Sequence, residues 1–267
     1  MRTRSMVSAL VLALIGLPLA GCAEPGPASR GTPSASVGTT QDVSTPPSAV
    51  GTPSAAPSPD ATPTVDPAGG CPANGVPVPS GATTASIGDV DGDQRSDTAF
   101  YSEAGPFEYG IHTASGATIV LRDDLAGPGV HSGWSAKLDG PAIVATVLDD
   151  GRSASLHAFV GCRFVTTNGP DGSPYRFALN GFGTAGTGVA CNDRNGGTLI
   201  EGALAVKRSD GRYDIRWTQI DLSADGTRAT NGTTETRWSG LAASDPRVGQ
   251  AMGSHCGSLP KVGTSGR

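Results

Sequence analysis

The 267-residue chain is short of aromatic residues, at 5%, and of charge, at 16%. It contains only three lysines, Lys137, Lys207 and Lys261. No basic stripe runs along it, which argues against nucleic acid as a partner. The G-x-S-x-G elbow, the H-E-x-x-H zinc helix and the P-loop are all missing, and with them the common signatures of hydrolytic and nucleotide chemistry. No C-x-x-C pair occurs and the four His are scattered, a poor basis for a zinc site. From Ser80 onward no segment keeps a helical period over ten residues, so a helical fold is excluded as well.

The first residues form an export signal. Basic Arg2 and Arg4 precede an apolar run from Met6 to Leu19, which is too short for a comfortable spanning helix and ends in Leu19-Ala20-Gly21-Cys22. That tetrad resembles a bacterial lipobox, so residues 1–21 are expected to be removed and Cys22 to become the lipidated first residue. Arg2 and Arg4 leave with the signal, and 17 basic against 24 acidic residues give a mature charge of −7. Residues 23–70 hold ten Pro and no aromatic residue. Such a segment cannot bury enough apolar surface to offset its ordering entropy, and residues 22–70 read as a lipidated, disordered linker. It reaches roughly 40 Å as a relaxed coil and at most about 150 Å as polyproline II. The expected location is the extracellular face of the cytoplasmic membrane, with residues 71–260 folded and residues 261–267 a flexible tail.

Besides the lipidated Cys22, four cysteines remain: Cys71, Cys162, Cys191 and Cys256. In an oxidising compartment an even number implies two disulfides, with three connectivities open. Between them stand short β-rich runs: Thr98–Tyr101, Thr118–Leu121, Ala142–Leu148, Ser155–Val160, Arg163–Thr166, Leu199–Val206, Tyr213–Ile220 and Thr233–Trp238. Gly, Asp, Asn and Pro clusters separate these runs, a pattern that predicts an all-β fold of many hairpins.

The stretch GDVDGDQRSDTAFY, residues 88–101, places Asp89, Asp91, Asp93 and Asp97 at positions 1, 3, 5 and 9 of one loop. Like charges this close repel, and the alternation suits a hard cation that takes oxygens from alternate residues. The EF-hand loop needs Gly at position 6 and Glu at position 12, where this chain has Gln94 and Phe100. The stretch instead resembles the calcium loops of FG-GAP/VCBS repeats, the blades of integrin-alpha-type β-propellers, in which an apolar strand follows directly. The resemblance implies Ca²⁺ bound by the side chains of Asp89, Asp91, Asp93 and Asp97 and by the backbone carbonyl of Arg95. It implies a propeller-like array of about four degenerate blades, with a curved β-sandwich as the alternative. Propeller-like folds often bring their ends together, which implies Cys71 paired with Cys256 and Cys162 with Cys191.

Internal similarity supports repeats. Aligning residues 88–100 with 145–157 matches Val90 with Val147, Asp93 with Asp150, Arg95 with Arg152 and Ser96 with Ser153. A second alignment sets the four Asp against Asp193, Asn195, Gly197 and Glu201. The copy at 146–154 keeps one carboxylate and is not expected to bind calcium; the copy at 193–201 is at best a weak site. No catalytic constellation emerges. His112, His131 and His157 lie in or beside β-type runs without a partner motif, and Asp123-Asp124 and Asp149-Asp150 read as turn doublets. The Gly-rich run from Gly181 to Cys191 reads as a strand crossing, and Trp134, Trp217 and Trp238 as core. The expectation is a non-enzymatic surface module, anchored to the membrane by lipid, that binds a protein or polysaccharide. The alternative is a polysaccharide-active enzyme or its accessory carbohydrate-binding domain.

Overall fold

The computed structural model describes residues 69–139, 143–181, 185–194 and 197–264. The signal, Cys22 and almost all of the linker lie outside the described residues. The fold is all-β. An N-terminal sheet is an antiparallel meander of β1 (Thr83–Gly88), β2 (Asp97–Ser102), β3 (Glu108–His112) and β4 (Thr118–Arg122). A middle sheet follows with β5 (Ser132–Lys137), β6 (Val144–Asp149), β7 (Ser153–Val160), β8 (Arg163–Thr166) and β9 (Arg176–Ala178), the last pairing with β7. The C-terminal sheet is built from the long strands β10 (Ala185–Arg194), β11 (Gly197–Lys207), β12 (Tyr213–Leu222) and β13 (Ala229–Leu241). After the single-turn helix α1 (Pro246–Gln250), β14 (Ser254–Cys256) joins β10 in parallel and β15 (Val262–Gly263) returns to β5 in the middle sheet. The described residues thus form three sheets, none closed on itself.

Burial explains the order of the layers. All six residues of β6 are buried, and so are the six central residues of β7, whereas after buried Thr118 the strand β4 alternates half-buried Ile119 and Leu121 with exposed Val120 and Arg122. A strand alternates when one face meets water and reads as continuously apolar or small when both faces are covered. Val144, Leu148 and Phe159 point into a core shared with Tyr101, Tyr109 and Ile111 of the N-terminal sheet. Ala145, Val147 and Leu156 point the other way, into a core shared with Val189, Ile200 and Ile220 of the C-terminal sheet. The outer face of that third layer is capped by Val248 and Ala251, on and just after α1, against Ala203, Ile215 and Trp217.

Two expectations are corrected. The disulfides join Cys71 to Cys162 and Cys191 to Cys256, with Cα–Cα distances of 5.5 and 4.4 Å. The propeller-type closure that pairs Cys71 with Cys256 does not arise, because Cys71 docks beside the turn between β7 and β8 while β14 lies in register with β10, Cys256 opposite Cys191. The folded part also runs past residue 260. Val262 is buried in the core between the N-terminal and middle sheets, and Lys261 pairs with Asp149 at 2.8 Å, so the chain is held to the domain past residue 260, with Val262–Gly263 paired as a strand.

Candidate functional site

The loop between β1 and β2 begins after Gly88, in the left-handed region at φ 78°, and a register shift separates Ser86 from Gly88 in the pairing with β2. Its turn needs two more positive φ angles, at Gly92 (87°) and Gln94 (65°). Gly adopts such angles freely, but Gln does so only when its surroundings impose them. Here Asp89 imposes them, accepting from the N–H of Gly92 at 2.6 Å and of Gln94 at 3.1 Å.

Three of the four predicted carboxylates converge. Oxygens of Asp89, Asp91 and Asp97 lie within 4.8 Å of one another. Asp97, 1% exposed, accepts from the N–H groups of Val90 and Ala114, both at 2.8 Å. Asp91 accepts from the N–H of Cys71 at 2.8 Å and the hydroxyl of Ser115 at 3.0 Å. A Cβ on Gly70 would sit 2.7 Å from Asp91 Oδ2, so the chain just before Cys71 can pack here only as glycine. Asp93 does not join the cluster. Its carboxylate is held by Arg95, whose Nε and Nη2 both donate to Oδ2, at 2.9 and 2.6 Å. The backbone N–H of Arg95 donates to the other oxygen, Oδ1, at 2.8 Å.

The electrostatics follow. Burial, then the nearby charges of Asp91 and Asp93, push the Asp97 carboxyl above the usual carboxylate range despite its two backbone bonds. Burial also presses on Asp93, but the bonds to Arg95 outweigh it and hold that carboxyl low. Converging oxygens with a like-charge penalty fit a hard cation, which takes oxygen ligands and would remove the repulsion. Asp89, Asp91 and Asp97 are the residues that would hold it.

The two other copies of the loop are different objects. Asp150 caps the tight turn between β6 and β7, accepting from the N–H groups of Arg152, Ser153 and Gly127 at 2.9, 2.7 and 2.8 Å. In the third copy Asn195 lies outside the described residues, and Glu201 stands within β11, opposite Ala190. Its carboxylate is engaged by Arg237 and, at 2.5 Å, by Asn192.

A second cluster escaped the sequence reading. Asp123, of the Asp123-Asp124 doublet, accepts from the Tyr101 hydroxyl at 2.6 Å and faces His131 Nδ1 at 2.9 Å. Residues 101, 123 and 131 carry no motif spacing, and only the packing of β2 against the β4–β5 connection joins them. His112 bonds Thr118 at 2.9 Å in the N-terminal sheet, and His157 is buried in β7 beside Ser155 at 3.0 Å. Burial drives the His157 pKa down to about 4, the charges of Asp124 and Asp123 only partly opposing it. Trp134 and Trp217 are buried and Trp238 is half-buried, which leaves no tryptophan platform. In the Gly-rich run, Gly186 and Gly188 lie within β10, where a Cβ would strike Met252 or the backbone of Ala251 and Gly253. Close approach explains those glycines without a phosphate. The chain matches no protein-family model, no curated protein and no solved structure.

Proposed function

We propose that this chain is a lipid-anchored bacterial surface protein. Its all-β domain, of the FG-GAP/VCBS blade type, is a binding module that calcium stabilises and that has no chemistry of its own. Cys22 carries the anchor, the Pro-rich linker holds the domain away from the membrane, and a protein or polysaccharide of the cell exterior is the partner. The convergence of Asp89, Asp91 and Asp97 on one hairpin loop of a four-stranded meander carries this reading. Calcium bound there would offset two of the three negative charges and fix the hairpin. Burial of Trp134 and Trp217 favours a scaffold over a sugar-processing cleft.

The test is calcium-dependent melting. A site for the folded state alone stabilises by about 2.7 kcal/mol when free calcium is a hundredfold above the dissociation constant. Extracellular sites bind at about 10⁻⁴ to 10⁻³ M, so the rise in melting temperature belongs in the millimolar range. Asp91→Ala should abolish that rise. Asp150→Ala should cost about 1 to 3 kcal/mol by orphaning backbone N–H groups, yet leave the calcium response intact. Equal melting temperatures of the unaltered protein in millimolar calcium and in chelator would overturn the calcium assignment.

A further inference from the structure

The connection from β4 to β5 carries the chain from the N-terminal sheet to the middle sheet, and His131 stands at its end with 2% of its surface exposed. Its ring nitrogens both face acceptors. Nδ1 lies 2.9 Å from Asp123 Oδ2, and Nε2 lies 2.9 Å from the carbonyl oxygen of Gly127. A neutral imidazole has one N–H and one lone pair, so it satisfies one acceptor and aims a lone pair at the other; imidazolium satisfies both. Asp123 is fixed independently, accepting from the Tyr101 hydroxyl and from the N–H of Leu125 at 2.9 Å. The main chain of His131 holds a third piece: its N–H donates to Thr264 Oγ1 at 3.2 Å and its carbonyl accepts from the Thr264 N–H at 2.8 Å.

We propose that His131 is a proton-operated latch: protonated, its ring clamps residues 127–131 and the C-terminal strand β15 against the N-terminal sheet, and loss of the proton loosens both. The segment it holds is a wall of a cleft of about 590 Å³, lined by Glu103, Phe107, Pro128, Val130, His131 and Thr264. Phe107 covers the ring of His131 at 4.6 Å, and Phe107 and Val130 are exposed apolar side chains at this cleft. Loosening therefore widens an apolar-lipped cleft.

The charged neighbours favour the protonated ring. Asp123 faces it from the same connection and Asp150 from the β6–β7 turn, while Glu103 lines the cleft after β2. Tyr101 approaches from β2, and burial beside Asp123 pushes its hydroxyl far above the ordinary range, so it remains a donor. On the side of β5 and β15, Asp149 and Lys261 neutralise one another. Burial by itself lowers the His131 pKa, but the bonds to Asp123 and Gly127 and the charges of Asp123 and Asp150 outweigh it, and the net direction is upward. A histidine raised in the folded state lends its full stabilisation below the unfolded value of about 6.5 and loses it as pH rises through the folded value.

Hydrogen exchange read by mass spectrometry on the full chain tests this from pH 5 to 9. Exchange at the imidazole C2 position reports the titration of His131, and amide exchange corrected for intrinsic rate reports the clamp. The His131 midpoint is expected above 6.5. Amide protection over residues 126–131 and 262–264 is expected to stay constant below about pH 6.5, fall about tenfold per pH unit up to that midpoint, and level off above it. Protection in β11 and β12 should not follow the same curve. Asp123→Asn should bring the midpoint to or below 6.5. In the unaltered protein, a midpoint at or below 6.5, or protection that does not change across it, overturns the latch.

Discussion

Gln94 shows how much one residue can conceal. Its φ of 65° lies in the left-handed region, which costs a side-chain-bearing residue roughly 1 kcal/mol, and the loop keeps it there through the bond from its N–H to Asp89. Gln94→Gly should relieve the strain and raise stability by about 0.5 to 1 kcal/mol, as read from denaturant midpoints, with the Asp89 bond intact. His157 gives the acid limb of the stability curve. Its folded pKa, about 4, lies below the unfolded value of about 6.5, so the unfolded chain binds the extra proton as pH falls between them. Stability should drop by about 3 kcal/mol from pH 6.5 to 4 through this residue, and His157→Gln should flatten that slope in urea titrations at stepped pH. The spacing of Asp89, Asp91 and Asp97 was legible because a metal-type alternation survives in sequence. The departure of Asp93 was not, since it turns on a guanidinium two residues away whose rotamer no spacing records. The Tyr101–Asp123–His131 cluster was invisible for a different reason: two segments supply it without motif spacing, β2 giving Tyr101 and the β4–β5 connection giving Asp123 and His131.

At the scale of the strand, the runs rich in β-branched and apolar residues read correctly. Arg163–Thr166 is the whole of β8, and Tyr213–Ile220 lies inside β12. Two of the strands that escaped are made mostly of small or polar residues. β5 reads SGWSAK, and β10 reads AGTGVACNDR; both pack where there is little room, and small side chains weaken the hydrophobic signal. Gly110 in β3 makes the physical reason explicit. A Cβ there would lie 2.1 Å from Cζ of Phe100, whose ring lies across the glycine from the neighbouring strand. Gly110→Ala must displace a fully buried ring and should cost about 1 to 3 kcal/mol, whereas Gly151→Ala meets no neighbour and pays only for its positive φ. Chemical denaturation of the two variants side by side separates crowding from backbone strain.

Across the whole domain, the two disulfides stabilise different things although their loops are similar. Cys71–Cys162 spans 91 residues and Cys191–Cys256 spans 65, so the chain-entropy model assigns each about 4 to 5 kcal/mol. The number and partnership of cysteines followed from export; the pairing did not, because it depends on where β14 and the chain before β1 dock, and neither has a sequence signal. Cys71 belongs to the acidic loop as well as to its bridge: its N–H donates to Asp91, and its carbonyl accepts from the Ser115 hydroxyl at 2.6 Å, the same hydroxyl that reaches Asp91. Cys191 and Cys256 have no such link, lying opposite one another on β10 and β14 in the C-terminal sheet. Replacing either pair by Ala should therefore lower the melting temperature by comparable amounts in chelator. Only the Cys71/Cys162 replacement should also shrink the calcium-dependent rise, because freeing Cys71 withdraws the donor that orients Asp91. An equal calcium response in both double variants would separate the bridge from the loop and leave the first disulfide as a chain constraint alone.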